Sequence, residues 1–210
     1  MDEVDRFFNA CYEDRLEEVA SCLHENAGMT HARRIGGRTP LHQAAFGGAV
    51  RVAALLIDRG ADVNATTDYS WVPLHYAAAP ASAAVAELLI RNGAALDRAN
   101  EDGCTPLHFA ADFGKPPMAE LLLSHAAATN AQDKEGRTPL DYAEPDSEVA
   151  QLLLARGAVS GVTAPSEEPR TGLPDWLLGH EGAINELQNT VEEQWHVPKR
   201  GHAGEGDNSK

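Results

Sequence analysis

The chain has 210 residues and a formal net charge of −15 at pH 7, from 17 Lys or Arg and 32 Asp or Glu. This charge argues against a nucleic-acid partner, because binding to a phosphate backbone depends on clustered Lys and Arg. The longest apolar runs fall short of the roughly 18 residues that cross a bilayer, and acidic residues follow Met1 where a secretory signal would be basic, so we expect neither membrane insertion nor export.

Cysteine usage favours a reducing compartment. Cys11, Cys22 and Cys104 are an odd number of cysteines without CxxC spacing. A set of this kind is typical of a protein in the cytoplasm, the nucleus or both, rather than of one stabilised by disulfides.

A seven-residue phrase returns in steps of 33 residues along the chain. It reads TPLHQAA from Thr39, VPLHYAA from Val72, TPLHFAA from Thr105 and TPLDYAE from Thr138. Apolar triplets at 55–57, 88–90 and 121–123 keep the same step. Such self-similarity is the signature of a solenoid, in which each unit buries its apolar face against its neighbours.

Each phrase predicts the start of a helix. Thr39 suits the N-cap, where its hydroxyl satisfies a backbone group, and Pro40 suits the first helical position, where a missing N–H costs nothing. The apolar triplet that follows predicts a partner helix. Gly60, Gly93 and Gly157 then supply the left-handed conformation that ends a helix.

These residues resemble the ankyrin-repeat family, whose pattern is TPLHxAA at the start of the first helix; Gly60 to Ala65 also match its GADVNA motif. The resemblance implies an all-α solenoid of stacked helix pairs with short β-hairpin loops. We expect five repeats within residues 1–158, the first and last being degenerate caps. Their predicted ranges are 4–31, 32–64, 65–97, 98–130 and 131–158.

Several positions depart from the family pattern. Val72 replaces the capping Thr, which removes a hydroxyl worth about 1 kcal/mol. Ser70 replaces a hairpin Gly, so we expect strain or an altered turn there. Ala126 replaces a terminating Gly, so that helix should end less sharply. Asp141 replaces the His of the phrase, where a negative charge favours a helix N-terminus.

The sequence after the repeats divides into three segments. Residues 159–173 are a predicted linker and residues 198–210 a predicted disordered tail. Between them, residues 174–197 carry an apolar stripe of helical spacing. This amphipathic segment either caps the last repeat or binds a second partner.

No pattern indicates an enzyme, a cofactor or a metal site. His42, His75 and His108 recur once per repeat, too far apart to share one zinc ion, and the resemblance gives them hydrogen bonds within and between repeats. Cys104 is the one thiol that we expect on an exposed hairpin tip. The sequence holds no phosphate loop, no GxSxG and no HExxH motif.

The resemblance implies a non-enzymatic adaptor or scaffold that binds another protein, as a monomer or within a hetero-complex. In the family, hairpin tips and inner helices grip partners on a concave face. The matching positions are Ile35, Arg38, Phe46, Asp68, Tyr69, Trp71, Glu101, Asp102, Cys104, Asp112, Phe113, Lys134, Glu135 and Arg137. Among these we expect Trp71 to be an exposed anchor, because Trp and Tyr dominate interface energies.

Three further hypotheses remain open at this point. The array could instead be a regulatory subunit or assembly chaperone that occludes an enzyme. The basic triplet Arg33, Arg34 and Arg38 could meet an acidic feature of a partner or be an incidental basic spot. Asn64 lies in a context similar to hairpins that an asparagine hydroxylase modifies, and is equally explained as an Asn that satisfies backbone groups.

Overall fold

The computed structural model describes residues 3–78 and 83–162, which form ten α-helices arranged as five consecutive pairs. The first helices of the pairs are α1 (Glu3–Tyr12), α3 (Pro40–Gly47), α5 (Pro73–Ala78), α7 (Pro106–Asp112) and α9 (Pro139–Tyr142). The second helices are α2 (Leu16–Glu25), α4 (Val50–Asp58), α6 (Ala83–Arg91), α8 (Pro116–Ser124) and α10 (Glu148–Ala155). The predicted all-α solenoid of helix pairs is confirmed. None of these helices combines the length and apolar character needed to cross a membrane.

The helices form two layers with the core between them. Each first helix packs on the first helix of the next pair, and the second helices contact one another in the same order. The phrase leucines Leu41, Leu74 and Leu107 are fully buried from the first layer, and Leu56 and Leu89 from the second. The core is therefore a line of repeated contacts, in which each pair is stabilised by its neighbours.

The helix starts follow the predicted capping chemistry. Thr39, Thr105 and Thr138 are extended N-cap residues, each followed by Pro at the first helical position. At α5 the cap is Val72, which offers no hydroxyl, but its backbone N–H still donates to Nδ1 of His75 at 3.1 Å. The phrase histidine therefore secures a helix start even where the threonine is missing.

The helix ends are more uniform than the sequence indicates. Gly60 and Gly93 adopt φ of 87° and 85°, the left-handed values that suit glycine. Ala126 adopts the same region, with φ of 64°, and the next residue donates to Leu122 O at 3.0 Å as its counterparts do. The expectation of a less sharply ended helix at Ala126 is wrong, because the packing imposes the turn at a cost of about 1–2 kcal/mol.

Four loops of common design precede the first helices of the second to fifth pairs. In each, the N–H of the first residue donates to the carbonyl of the fifth at 2.9 Å. The fourth residue has positive φ; this is Ser70 in the second loop, with φ of 62°, and Gly in the others. No residue of the described ranges is in a strand. We term residues 34–38, 67–71, 100–104 and 133–137 loops L1 to L4.

The last pair is closed by the chain that follows it. Thr138 Oγ1 donates to Val159 O at 2.7 Å, and Gly161 N–H donates to Asp141 Oδ2 at 2.8 Å. Residues 159–161, predicted as the start of the linker, are thus hydrogen-bonded to α9 and its N-cap residue. The linker beyond residue 162, the amphipathic segment 174–197 and the tail 198–210 lie outside the described residues.

Candidate functional site

The loops are held in place by a ladder of buried histidines. His42 Nε2 lies 3.0 Å from Trp71 O, His75 Nε2 lies 3.1 Å from Cys104 O, and His108 Nε2 lies 3.3 Å from Arg137 O. A carbonyl can only accept, so each Nε2 carries the proton and each Nδ1 accepts from its N-cap residue. Every rung therefore joins a helix start in one repeat to the end of the next repeat's loop.

The ladder histidines are neutral at physiological pH. Burial lowers the pKa of His42 to about 3 and that of His75 to about 4, and it also lowers the pKa of His108. Since each ring is already bonded through both nitrogens, the ladder serves to position the loops. Across residues 3–78 and 83–162, no three His, Cys, Asp or Glu side chains are grouped as metal ligands.

Successive loops are also joined directly, backbone to backbone. Asp68 N–H donates to Gly36 O at 3.0 Å, Glu101 N–H to Tyr69 O at 3.2 Å, and Lys134 N–H to Asp102 O at 2.9 Å. Gly103 permits this approach, because a Cβ there would lie 2.9 Å from Asp133 Cα. L1 to L4 thus form one continuous surface, which we term the tip surface.

Residues at the centres of the loops are exposed. Ile35 is 96% exposed and Tyr69 41%, both from the tips of their loops. The other exposed residues of the predicted set are Asp68, Glu101, Asp102, Lys134 and Glu135. The second and third positions of L2 to L4, and the second position of L1, therefore supply the side chains that reach solvent.

Residues at the fifth position of L2 and L3 turn inwards. Trp71 is only 8% exposed, with its ring 4.8 Å from that of Phe109 and 5.5 Å from that of Tyr76. The expectation of an exposed Trp71 anchor is wrong. The positive φ of the residue before it reverses the chain, so the fifth side chain points back towards the helices.

The same reversal buries Cys104, so the expectation of an exposed thiol is also wrong. Cys104 is 3% exposed, and burial raises its pKa to about 11, although the nearby Tyr142 hydroxyl, 3.2 Å from its sulfur, acts in the opposite direction. Tyr142 in turn donates to Asp133 at 2.6 Å, and Arg137 pairs with Asp133 at 2.7 Å. Cys104 and Arg137 are therefore part of an interface between the fourth and fifth repeats.

Two members of the basic triplet are engaged within the protein. One Arg33 nitrogen donates to Gly37 O and Thr66 O, both at 2.9 Å. Arg34 pairs with Asp5 at 2.7 Å. These two arginines join L1 to its neighbours. Their contacts favour a structural role for Arg33 and Arg34 over contact with an acidic feature of a partner.

An aromatic row runs across the first helices of the first three repeats. The ring centroids of Tyr12 and Phe46 are 5.7 Å apart, those of Phe46 and Tyr76 6.2 Å apart, and Tyr76 continues to Trp71. Tyr12, Phe46 and Tyr76 are half-buried. The remaining predicted residues Arg38, Asp112 and Phe113 are also half-buried.

Comparison with known proteins identifies the family. The family model for ankyrin repeats, in three copies, matches residues 7–100 and 74–163. The chain belongs to the ankyrin-repeat family. Members of this family generally bind other proteins and are generally not enzymes.

Two larger proteins share part of this ankyrin array. The ankyrin repeat and KH domain-containing protein mask of Drosophila melanogaster is 45% identical over 56 residues, 27% of this chain. Ankyrin repeat and KH domain-containing protein 1 of Homo sapiens has the same identity over the same length. The chain spans only 1% and 2% of the length of these two proteins.

Tyr12 and Tyr76 are surface aromatics of the ankyrin array that the sequence analysis missed. Tyr12 follows Ala10 and Cys11 as Phe46 follows the paired alanines of its phrase, and this alignment could have identified it. Burial raises the pKa of Tyr76 to about 12, while Arg38 lowers it, which shows that Arg38 lies nearby. The row therefore meets a positive charge at L1.

Asn64 lies between α4 and L2 and bridges to the next repeat. Its Nδ2 donates to Gly93 O at 3.0 Å, and its Oδ1 accepts from Ala95 N–H at 2.8 Å. Asn130 makes the equivalent pair of bonds one repeat before the end. These contacts give Asn64 a structural role, and its hydroxylation stays a prediction.

Proposed function

We propose that this ankyrin array is an adaptor that binds another protein across the tip surface and the aromatic row. Protein binding is the general role of the family. The observation that carries the proposal for this chain is the exposure of Ile35 and Tyr69 on neighbouring loops, together with a row of aromatic rings on the first helices. Large apolar side chains exposed in this way mark interaction sites.

The extent of the surface also fits a protein partner. A standard interface covers about 800 Å² on each partner. The tip surface runs through four joined loops, and the aromatic row crosses the first three repeats, so the contact area is extended rather than confined to a pocket. Tyr residues at the centre of such a surface contribute strongly to affinity.

The structure revises the role of Trp71. Its ring supports Tyr76 and Phe109 from beneath, so removing it would disturb the fold as well as any partner contact. The residues to substitute are therefore Ile35 and Tyr69, which are exposed and whose replacement should leave the core intact.

The test is capture of binding proteins from cells of the source organism, followed by mass spectrometry. We expect the Ile35→Ala/Tyr69→Ala variant to recover a specific partner at least tenfold less well, equivalent to about 1.4 kcal/mol. The matched control is Leu154→Ala/Val159→Ala, which removes two apolar side chains that are 57% and 59% exposed on the last repeat. Equal recovery by both variants would overturn the assignment to the tip surface.

A further inference from the structure

We propose that the tip surface and aromatic row bind a positively charged segment of the partner, with Arg or Lys side chains lying over the exposed rings and pairing with loop carboxylates. This inference rests on the proposed function and specifies the chemistry of the partner. It is carried by three features: exposed carboxylates on adjacent loops, accessible aromatic rings, and the balance of charge on the surface.

Asp68, Glu101 and Asp102 are exposed at the tips of L2 and L3. Among the residues that the structure describes, no ion pair involves any of the three carboxylates. By contrast, Asp133 in L4 pairs with Arg137 within its own loop. The central part of the tip surface therefore presents negative charge that the fold does not neutralise.

These three carboxylates belong to one patch. Glu101 N–H donates to Tyr69 O at 3.2 Å, so the tip of L3 lies directly against the tip of L2, where Asp68 is the neighbour of Tyr69. Like charges held close together repel one another, and a bound cation relieves that repulsion. A partner cation at this position would thus be attracted by the three carboxylates and by the Tyr69 ring.

The aromatic rings offer a second attraction for the same kind of side chain. Tyr69 is 41% exposed, and Tyr12, Phe46 and Tyr76 are half-buried in a continuous row. A cation over such a ring gains about 0.5–1 kcal/mol when exposed and about 2 kcal/mol when desolvated. Arg suits this surface best, because its planar group stacks on a ring while donating to carboxylates.

The charges around the patch favour a basic partner over an acidic one. Arg38 lies beside Tyr76 in L1, and Lys134 is exposed in L4. The three carboxylates between these two loops outnumber them, and the chain as a whole carries −15. Complementary charge governs the choice of partner and the rate of association, so an acidic peptide would be repelled.

Fluorescence anisotropy with labelled peptides tests this inference. The probe alternates Arg with Leu over about twelve residues, about 40 Å when extended, enough to cross the loops. A matched peptide carries Gln in place of Arg. We expect the Arg peptide to bind at least tenfold more tightly than the Gln peptide, with an affinity that falls as NaCl is raised.

Two variants with the same change in net charge decide where the peptide binds. Asp68→Lys/Glu101→Lys/Asp102→Lys should abolish the preference for the Arg peptide. Glu17→Lys/Glu25→Lys/Glu120→Lys, altered at exposed positions of α2 and α8, should retain it. Equal loss in both variants, or equal binding of the Arg and Gln peptides, would overturn the inference.

The outcome can be separated from that of the proposed function. If partner capture depends on Ile35 and Tyr69 but the Arg peptide shows no preference, the adaptor function stands and the basic partner is refuted. If partner capture is also unchanged by the Ile35→Ala/Tyr69→Ala substitutions, both the proposed adaptor surface and the basic partner are refuted. Thermal unfolding by circular dichroism confirms that each variant is folded, which is expected because every altered residue is exposed.

Discussion

The internal and terminal interfaces of the array use the same position of the phrase in opposite ways. At α5, His75 accepts from Val72 N–H and donates through Nε2 to Cys104 O in the next loop. At α9, Asp141 accepts from Thr138 N–H at 2.7 Å and again accepts from Gly161 N–H at 2.8 Å. The Ser160 hydroxyl also donates to Asp141. At both sites the side chain accepts from the backbone N–H of the N-cap residue. Towards the following segment, His75 donates a hydrogen bond and Asp141 accepts one.

This difference shows how one residue selects its neighbour. A neutral His that accepts at Nδ1 must donate at Nε2, so it fits a loop that presents a carbonyl. An ionised Asp only accepts, so it fits a segment that presents N–H and O–H groups. Histidine therefore joins one repeat to another, and aspartate joins the last repeat to the closing residues 160–161.

Breaking an internal rung should have the largest effect. His75→Ala removes a fully buried ring, leaves Val72 N–H without its partner, and leaves Cys104 O with the bond from Asn100 N–H alone. We expect the free energy of unfolding to fall by about 3–5 kcal/mol, combining the cavity with the lost hydrogen bonds. Urea denaturation measured by circular dichroism gives this value.

The control for that measurement is His24→Ala on α2, where the side chain is exposed and the change should be within about 0.5 kcal/mol. A loss no larger for His75→Ala than for His24→Ala would show that the rungs do not stabilise the array.

As the pH is lowered, the internal interfaces built on histidine should weaken at a higher pH than the terminal interface built on Asp141. His42 and His75 have folded-state pKa values of about 3 and about 4, below the ordinary value of 6.5. The unfolded chain therefore binds protons first, so stability is full above pH 6.5 and falls as the pH drops towards 4. The expected loss is about 1 kcal/mol for each histidine at about pH 5.5.

The pKa of Asp141 behaves differently. Burial opposes its ionisation, but hydrogen bonds from Ser160, Thr138 and Gly161 lower its pKa below 3.8. Its contribution is thus lost only at still lower pH. Urea unfolding at pH 7 and pH 5.5 tests the prediction: His75→Asn should depend less on pH than the unaltered chain, and a stability that is constant over this range would contradict it.

Exchanging the terminal residue should have a smaller effect than removing an internal histidine. Asp141→His would place a donor against Gly161 N–H and the Ser160 hydroxyl, and we expect a loss of about 1–3 kcal/mol. Asp141→Asn keeps one acceptor and should lose less. Urea denaturation of both variants measures the difference, and an Asp141→His variant as stable as the unaltered chain would refute the role of aspartate in closing the array.

The fold could be predicted from the sequence because its signals repeat. The 33-residue step, the Thr-Pro start and the terminating glycines each occur several times, and each has a local physical cause. Ala126 shows the limit of local signals, since its neighbours impose a left-handed turn that its own side chain disfavours.

The candidate site was harder to predict because loops have no periodicity that separates inward from outward side chains. Tyr69 and Trp71 are two residues apart, yet one reaches solvent and the other lies beneath the aromatic row. Ser70, which lies between them, has a positive φ that turns the chain and directs Trp71 inwards. The bonds between Cys104, Tyr142 and Asp133 join different repeats, so only the folded chain shows them.

The tip-to-tip hydrogen bonds and the histidine rungs have a consequence for how such a protein can grow. The junctions that follow His42, His75 and His108 present the same donor and acceptor, so we expect a further block of 33 residues bearing the TPLH phrase to fit between these blocks. The block with Asp141 would not fit at an internal junction in the same way. Asp141 only accepts hydrogen bonds, whereas the carbonyl of the next loop needs a hydrogen-bond donor. Repeats added to this array would therefore lie before the repeat that contains Asp141, and that repeat would remain the last one.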